Sequence, residues 1–347
     1  MKRPALRLGD LSTGFVLALA AAVSSRGGDA DALLTRFGLT AARLAEPGGR
    51  LSIPHFMRLG HAALELTGDP ALGLAMGRAM RPAFLGLAGV TVAQAPDVRH
   101  AAETLLHLEP LYGRNYRGQS RWAAQGRDAW LHFYSISPYN DYNRFVVDAV
   151  LGAWLAVLGA VAGQALQPRR VLIEYAAPAN PAPYEAAFGC AVEFGAAENA
   201  LLLDTTTLAL PGTDHCPATW RQLLALSEAE HGRLTRTRGL TERVVEVMGP
   251  LLRHGEPTLE QIATRLRLPS WTLRRKLAEE GTQYRALLNL TRRDLALAYI
   301  RDTEASFGEI AYLLGFASPA AFQRAFKRWT EQTPGDWRRL QRQSVAV

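Results

Sequence analysis

Ser306-Phe-Gly-Glu-Ile-Ala-Tyr-Leu-Leu-Gly-Phe-Ala-Ser-Pro-Ala-Ala-Phe-Gln-Arg-Ala-Phe326 is the stretch that decides the fold of the C-terminal third of this chain. Ser306 stands three positions before Glu309, the signature of a capping box at a helix start. Ile310 and Ala311 follow on that helix and face a small core. Gly315-Phe316-Ala317 then makes a tight turn, and a second helix begins near Ser318. Its apolar positions, Phe322 and Phe326, recur every four residues and point inward. Ala320, Gln323 and Arg324 are left pointing outward.

The same plan occurs earlier, in Thr258-Leu-Glu-Gln-Ile-Ala-Thr-Arg-Leu-Arg-Leu-Pro-Ser-Trp-Thr-Leu-Arg-Arg-Lys-Leu277. Thr258 and Gln261 repeat the capping box. Ile262-Ala263 matches Ile310-Ala311 at an offset of 48, and Leu273, Arg275 and Leu277 match Phe322, Arg324 and Phe326 at an offset of 49. The extra residue falls in the turn, through Arg267-Leu268-Pro269 in the first copy. Leu273 and Leu277 point inward, which leaves Trp271, Arg274 and Arg275 outward. Two helices joined by a short turn, the second exposing basic and amide side chains, make a helix-turn-helix. A plain helical bundle is the alternative. Against it, Arg265 to Lys276 carries five basic residues and no acid.

Between the copies, Thr282–Asp302 reads as one helix, with Leu287, Leu290, Ala296, Leu297 and Ile300 available for packing. At 1.5 Å per residue it spans roughly 30 Å. Successive major-groove faces on one side of DNA lie about 34 Å apart. One polypeptide is therefore expected to place two recognition helices in adjacent major grooves.

Charge supports this reading. The 347 residues include 39 Lys and Arg against 32 Asp and Glu, a formal net charge of +7. Residues 1–216 carry 18 of each sign, and residues 217–347 carry 21 basic and 14 acidic side chains, so all the excess lies in the last part. A basic domain joined to a neutral one points to a polyanion-binding module plus something else.

The part before residue 216 reads differently. Thr13–Ser25, Ala30–Phe37, Ile53–Leu66 and Pro96–Leu108 are expected helices, separated by glycine and proline signals. Arg114–Trp122 and Ala129–Ser135 alternate like half-buried strands, with a hairpin loop over Gln125-Gly126-Arg127-Asp128. A long apolar helix is expected over Asn143–Ala165, then a strand over Arg170–Ala176 and a short helix over Tyr184–Phe188. Ala191–Phe194 and Ala200–Asp204 read as a second pair of strands. The architecture predicted is an α+β N-terminal domain followed by an all-α domain with two helix-turn-helix motifs joined by a long helix. The boundaries expected are 1–215 for the first domain, 216–237 for a connection containing a helix over Thr219–Ser227, and 238–347 for the second domain.

Phe15–Val23, preceded by Lys2, Arg3 and Arg7, imitates a secretory leader. Asp10 interrupts it and no small-x-small cleavage site follows, so a buried helix is the better reading. Ala149–Gly163 is too short for the roughly 20 residues of a membrane span. The expected location is the cytoplasm, with no membrane partner. Two cysteines, Cys190 and Cys216, suit a reducing compartment and cannot form a disulfide framework.

Glu309 to Thr330, followed by Thr333-Pro334, resembles the signature of AraC/XylS-type transcriptional regulators, with Gly315-Phe316, Phe322, Arg324, Phe326-Lys327 and Pro334 all in register. Glu331 departs from it, standing where the family usually has glycine. The resemblance implies a seven-helix DNA-binding domain over about residues 238–340. Gly68-Asp-Pro-Ala-Leu-Gly-Leu74 and Phe188-Gly-Cys-Ala-Val-Glu-Phe194 resemble the sensor domain of a subgroup called arabinose-binding-like, which implies a regulatory domain without naming a ligand.

Carried over to matching positions, the resemblance implies base contacts from Trp271, Arg274 and Arg275 and from Ala320, Gln323 and Arg324. The chemistry agrees. Arginine bonds bidentately to guanine, glutamine pairs with adenine, and apolar side chains meet the thymine methyl. Ser270 and Ser318, at helix starts, suit phosphates. The implied partners are double-stranded promoter DNA, RNA polymerase, a small-molecule effector and a second copy of the chain. The overall reading is a ligand-responsive regulator, more an activator than a repressor. An effector-independent regulator with a purely dimerising N-terminal domain is the alternative, and an enzyme fused to a DNA-binding domain a distant one.

Nine of the 29 aromatic residues lie between Tyr112 and Phe145. Tyr112, Arg114, Tyr116, Trp122, Trp130, Phe133 and Tyr139 are the candidates for an effector pocket, since such pockets are apolar and aromatic with a few polar groups. Arg114, Arg117 and Arg121 suggest an acidic or aromatic effector. No cofactor is expected, and no catalytic site, because no triad, phosphate loop or metal-protease motif occurs. No metal site is expected either. His100 and His107 share a helix face but lack further ligands in sequence, and His215-Cys216 is not chelate-spaced.

Overall fold

The structure, a computed structural model, describes residues 9–46, 48–115, 120–135, 139, 141–236, 239–252, 255–302 and 305–345. Two compact units emerge. One is formed by Asp10–Arg114 and Gln119–Arg233, and the other holds Leu234–Val347.

The first unit begins with β1 (Gly9–Ser12), α1 (Gly14–Ser25), α2 (Ala30–Arg36), β2 (Arg50–Ser52) and α3 (Ile53–Thr67). It continues with α4 (Leu72–Ala79), α5 (Gly86–Ala93), α6 (Val98–His107), β3 (Gly113–Asn115), β4 (Arg121–Gln125) and β5 (Asp128–Phe133). Then come α7 (Asp141–Ala162), β6 (Arg170–Ile173), α8 (Ala182–Phe188), β7 (Val192–Phe194), β8 (Asn199–Leu203) and α9 (Pro217–Arg236). The leader-like segment is α1, whose Val16, Ala18, Leu19, Ala22 and Val23 are buried in the core.

Helix α7 is the axis of this unit. Its apolar stretch is longer than the expected Ala149–Gly163: among the described residues Arg144–Ala162 is the one helix long and apolar enough to cross a membrane, and two thirds of it is buried inside the protein. It packs on α4 through small residues. A Cβ on Gly77 would lie 2.8 Å from the Cα of Gly152, so only glycine lets the two backbones approach this closely.

Two sheets flank the helices. A three-stranded one runs β2-β1-β3 and a five-stranded one runs β4-β5-β8-β6-β7. All five residues of β8 are buried, which makes Asn199-Ala-Leu-Leu-Leu203 a central strand. Its neighbours β5 and β6 are both antiparallel to it, whereas β6 and β7 are parallel, the crossover between them containing α8.

Two strand expectations are corrected here. Arg114–Trp122 is not one strand: its beginning belongs to β3 and its end to β4, in different sheets. Ala191–Phe194 and Ala200–Asp204 do not pair with each other, because β6 lies between β7 and β8. The hairpin loop stands as expected, with Gly126 at φ +62°. The short strands β1 and β2 and the helices α4 and α5 were not anticipated. Strands of three or four residues show too little periodicity to read.

Helix α9 is longer than the expected Thr219–Ser227. Its Ser227 hydroxyl lies 2.7 Å from that of Thr91 on α5, both buried. The unit boundary, between Arg233 and Leu234, falls near its end.

The second unit contains seven helices among the described residues: α10 (Leu240–Leu251), α11 (Leu259–Arg265), α12 (Ser270–Glu279), α13 (Tyr284–Asp302), α14 (Phe307–Leu313), α15 (Pro319–Thr330) and α16 (Pro334–Val345). No strand occurs among them. Leu273, Leu277, Phe322 and Phe326 are essentially fully buried, with Ile262 and Ile310 beside them in the core.

Candidate nucleic-acid interface

Each recognition helix is set by its turn. In α11 the Thr258 hydroxyl accepts from the Gln261 backbone N–H at 3.2 Å, and Gln261 returns the bond to the Thr258 N–H at 2.9 Å. In α14, Ser306 and Glu309 do the same at 3.2 and 2.6 Å. Both turns then close identically. Leu268 N–H donates to the Ala263 carbonyl at 2.9 Å, and Phe316 N–H to that of Ala311 at 2.9 Å. The residue at the bend is left-handed in both copies: Arg267 at φ +55° and Gly315 at φ +67°. A Cβ on Gly315 would lie 2.4 Å from the Leu252 carbonyl oxygen, so the second copy needs glycine for space as well as conformation.

The helices then start differently. Ser318 caps α15, its hydroxyl accepting from Ala321 N–H at 3.2 Å, with Pro319 at the first helical position. In α12 the cap is Pro269 and Ser270 is already helical. The caps Pro269 and Ser318 correspond at the offset of 49, so the extra residue of the second copy is Ala317, just before its cap.

The outward faces are now defined. Trp271 on α12 is 67% exposed, and Arg274, Arg275 and Lys276 are exposed beside it. On α15, Ala320, Gln323 and Arg324 are exposed, and so are Lys327 and Arg328. These last two extend the cationic face by one turn. Their spacing, four residues after Gln323 and Arg324, was the signal for them. Arg275 donates to Glu279 one turn on, at 2.8 Å. Both are exposed, and such a pair is worth at most about 1 kcal/mol, too little to hold the arginine against a base or phosphate.

Helix α13, 19 residues long and about 28 Å by its rise, carries the second motif. Arg292, buried in its middle, donates through Nε to the Leu314 carbonyl at 2.9 Å and through Nη2 to that of Gly315 at 2.9 Å. Its Nη1 meets Glu256 at 2.9 Å, and its guanidinium lies over the Phe316 ring. Sequence reasoning missed this strut, because an arginine on a basic helix reads as surface.

Residues 27–212 match the arabinose-binding domain of AraC transcription regulators, and residues 262–340 match a helix-turn-helix domain. An ornithine utilization regulator of Pseudomonas aeruginosa is 32% identical over 303 residues, covering 85% of this chain and 86% of that protein. The chain belongs to the AraC family of transcription regulators. The regulator VirS of Mycobacterium tuberculosis is 34% identical over 158 residues, covering 45% of this chain and 46% of its own. The crystal structure of the regulator CdpR from Pseudomonas aeruginosa aligns with a TM-score of 0.43 and 25% identity, over 89% of this chain and 96% of that one. This AraC-family chain is a DNA-binding transcription regulator, and its family is one of regulators rather than enzymes.

In this AraC-family regulator the six sensor candidates among the described residues do not form one cluster. Tyr112 is a core residue whose hydroxyl donates to the Leu105 carbonyl at 2.9 Å. Arg114 donates to the Pro110 carbonyl and lies 3.9 Å from Asp10, and Arg121 meets Glu198 at 2.7 Å. Tyr116 and Arg117 lie outside the described residues. Trp122 pairs across the strands with Leu131, and Trp130 with Ala123, so the two tryptophans occupy opposite faces of the sheet. The Trp130 indole donates to Gln125 at 2.7 Å.

Phe133 and Tyr139 do come together, around side chains the sequence did not single out. Phe133 stands opposite Asn199 and packs edge-on against Trp154. Asn199 donates to the Tyr139 hydroxyl at 2.7 Å and to Glu174 at 3.1 Å, and Tyr139 donates to Glu174. The Tyr139 ring packs edge-on against Tyr175. Buried Asp148 accepts from both Tyr175 and Tyr184. Burial pushes the Asp148 carboxyl up to about 7, against the lowering effect of those bonds and of nearby Arg144.

Proposed function

We propose that this regulator is a cytoplasmic activator that senses a small molecule through its N-terminal unit and changes how its C-terminal unit engages promoter DNA and RNA polymerase. The observation that carries the reading is the repeated recognition helix, buried through Leu273/Leu277 and Phe322/Phe326 and exposed through a basic and amide face. Trp271, Arg274 and Arg275 read one half-site, and Ala320, Gln323 and Arg324 the other. Ser270 and Ser318 contact phosphates.

The effector in this reading is a small amine rather than an acid. Arg114 and Arg121 are already paired with carboxylates, whereas Glu174 and Asp148 accept hydrogen bonds from neutral tyrosine and asparagine groups and sit among the rings of Tyr139, Tyr175 and Tyr184. Aromatic faces beside carboxylates suit a cation, and the Arg144 guanidinium already lies 5.8 Å from the Tyr175 ring centroid. The name of the ornithine utilization regulator is consistent with such an effector. A second copy of the chain is the remaining partner. Leu87, Val90 and Leu226 leave exposed apolar side chains on α5 and α9, which supports self-association.

Capture of sheared source DNA at about 0.1 M salt, followed by sequencing, tests the reading. Discrete peaks that vanish with the Arg275→Ala/Arg324→Ala double variant are expected. Uniform retention by both proteins would mean backbone electrostatics alone and would overturn the base contacts.

A further inference from the structure

The fold brings two further donor side chains, from a helix distant in sequence, to His107 in the last turn of α6. Glu228 and His231, three residues apart on α9, lie on one helical face opposite it. One ligand atom from each of the three side chains falls within 4.8 Å of the other two. His107 Nε2 is 2.9 Å from Glu228 Oε1, and the His107 and His231 rings meet edge to face with centroids 4.9 Å apart. His100, the other histidine on that helix face, is instead held by Asp97 at 2.8 Å.

We propose that His107, Glu228 and His231 form a site for a divalent transition-metal ion of the zinc type. The donor set fits. Two imidazoles and one carboxylate, with a fourth position left to water, is a known zinc arrangement with bonds of about 2.0–2.2 Å. Donors around a tetrahedral ion with such bonds are separated by roughly 3.4 Å, and the three donor atoms lie within 4.8 Å of one another, so small side-chain rotations bring them to that spacing. Nitrogen and carboxylate together exclude an ion that demands only oxygen, such as magnesium or calcium. His107 and Glu228 are each about half exposed, at 51% and 47%, so an ion reaches them from solvent.

The position gives the ion a consequence. It ties the end of α6 to α9, the helix that runs in sequence toward the DNA-binding unit. The Thr91–Ser227 bond pins α9 to α5 one residue earlier. A bound ion is therefore a second, reversible fastening of the same helix to the sensor core, and binding to the folded state alone raises its stability.

The test is a cobalt titration of untagged, full-length protein, followed by zinc competition. Expected is one equivalent of Co2+ with the intense visible absorption of a tetrahedral site, displaced by Zn2+. His107→Ala and His231→Ala should weaken binding by about tenfold or more, as loss of one of three protein ligands requires. Zn2+ should raise the melting temperature of the parent and of His100→Ala and Cys216→Ser, but not of His231→Ala. Circular dichroism melts without metal verify that the variants are folded. No stoichiometric uptake would overturn the proposal. So would uptake that survives the His107→Ala/His231→Ala double variant or is lost with Cys216→Ser.

Discussion

The Arg292 guanidinium carbon lies 4.7 Å from the centroid of the Phe316 ring, while its nitrogens hold the carbonyls of Leu314 and Gly315. This contact fixes the turn of the second helix-turn-helix to the long helix α13. It therefore sets where Gln323 and Arg324 stand relative to the rod that connects the two motifs. Arg292→Ala should destabilise the C-terminal unit by about 2–3 kcal/mol, since one buried and one half-buried carbonyl lose a charged donor. Arg292→Lys should recover only part, having no fork to bridge two carbonyls. Thermal unfolding of each variant measures this, and a loss below about 1 kcal/mol for the alanine variant would contradict the strut.

Two residues occupy left-handed positions that glycine fills better. Glu331 ends α15 at φ +63°, with its N–H on the Lys327 carbonyl at 2.8 Å. Arg267 bends the first motif. Glu331→Gly and Arg267→Gly should each stabilise by about 0.5–1 kcal/mol. Gly315→Ala should destabilise clearly, because its Cβ meets the backbone of Leu252 and Gly255. Urea midpoints at constant slope give all three signs.

Base reading should divide by helix. Arg324→Ala and Arg275→Ala should each cost about 1–3 kcal/mol on a specific site and relax preference in one half-site only. Lys327→Ala should weaken all sequences alike and lower the salt slope by about 1. Glu279→Gln should tighten binding modestly, because it frees Arg275 and removes an acid from the DNA face. Fluorescence titrations across a salt series separate these behaviours.

Asp148 predicts a pH dependence of the sensor unit. An aspartate in an unfolded chain titrates near 3.9, whereas burial raises Asp148 to about 7. Between those values the folded protein keeps a proton that the unfolded chain has released. Stability should fall as pH rises through about 4 to 7 and level off above. Burial raises the Glu109 carboxyl of the same unit to about 7 as well, so Asp148→Asn should remove part of the dependence of melting temperature on pH in that window and Glu109→Gln a further part. An unchanged slope would place the titration elsewhere.

The double motif was legible because its signals are local. Thr258/Gln261 and Ser306/Glu309 announce their helices, and Leu273/Leu277 and Phe322/Phe326 state which face is inward. The sensor unit was legible only in its longer elements. Its sheet order was hidden because β7 and β8 are neighbours in sequence yet separated by β6 in space. The candidate pocket scattered for the same reason. Alternation sends Trp122 and Trp130 to opposite faces, and Tyr112 went to the core. The side chains that do meet, Asp148, Glu174, Tyr175 and Asn199, come from three distant elements. Arg292 and the meeting of His107 with Glu228 and His231 are likewise products of tertiary contact, the cluster's one local trace being the i,i+3 spacing of Glu228 and His231.

One polypeptide, in the proposed function, reads two half-sites through recognition helices joined by the rod α13. Hydroxyl-radical and base-methylation footprinting on a captured fragment, under conditions where the protein is shown to be monomeric, tests it most directly. Expected are two protected major-groove patches on one face of the duplex, centred about 10 bp apart, with Arg275→Ala clearing one patch and Arg324→Ala the other. A single protected patch, or two that respond together to either substitution, would contradict it.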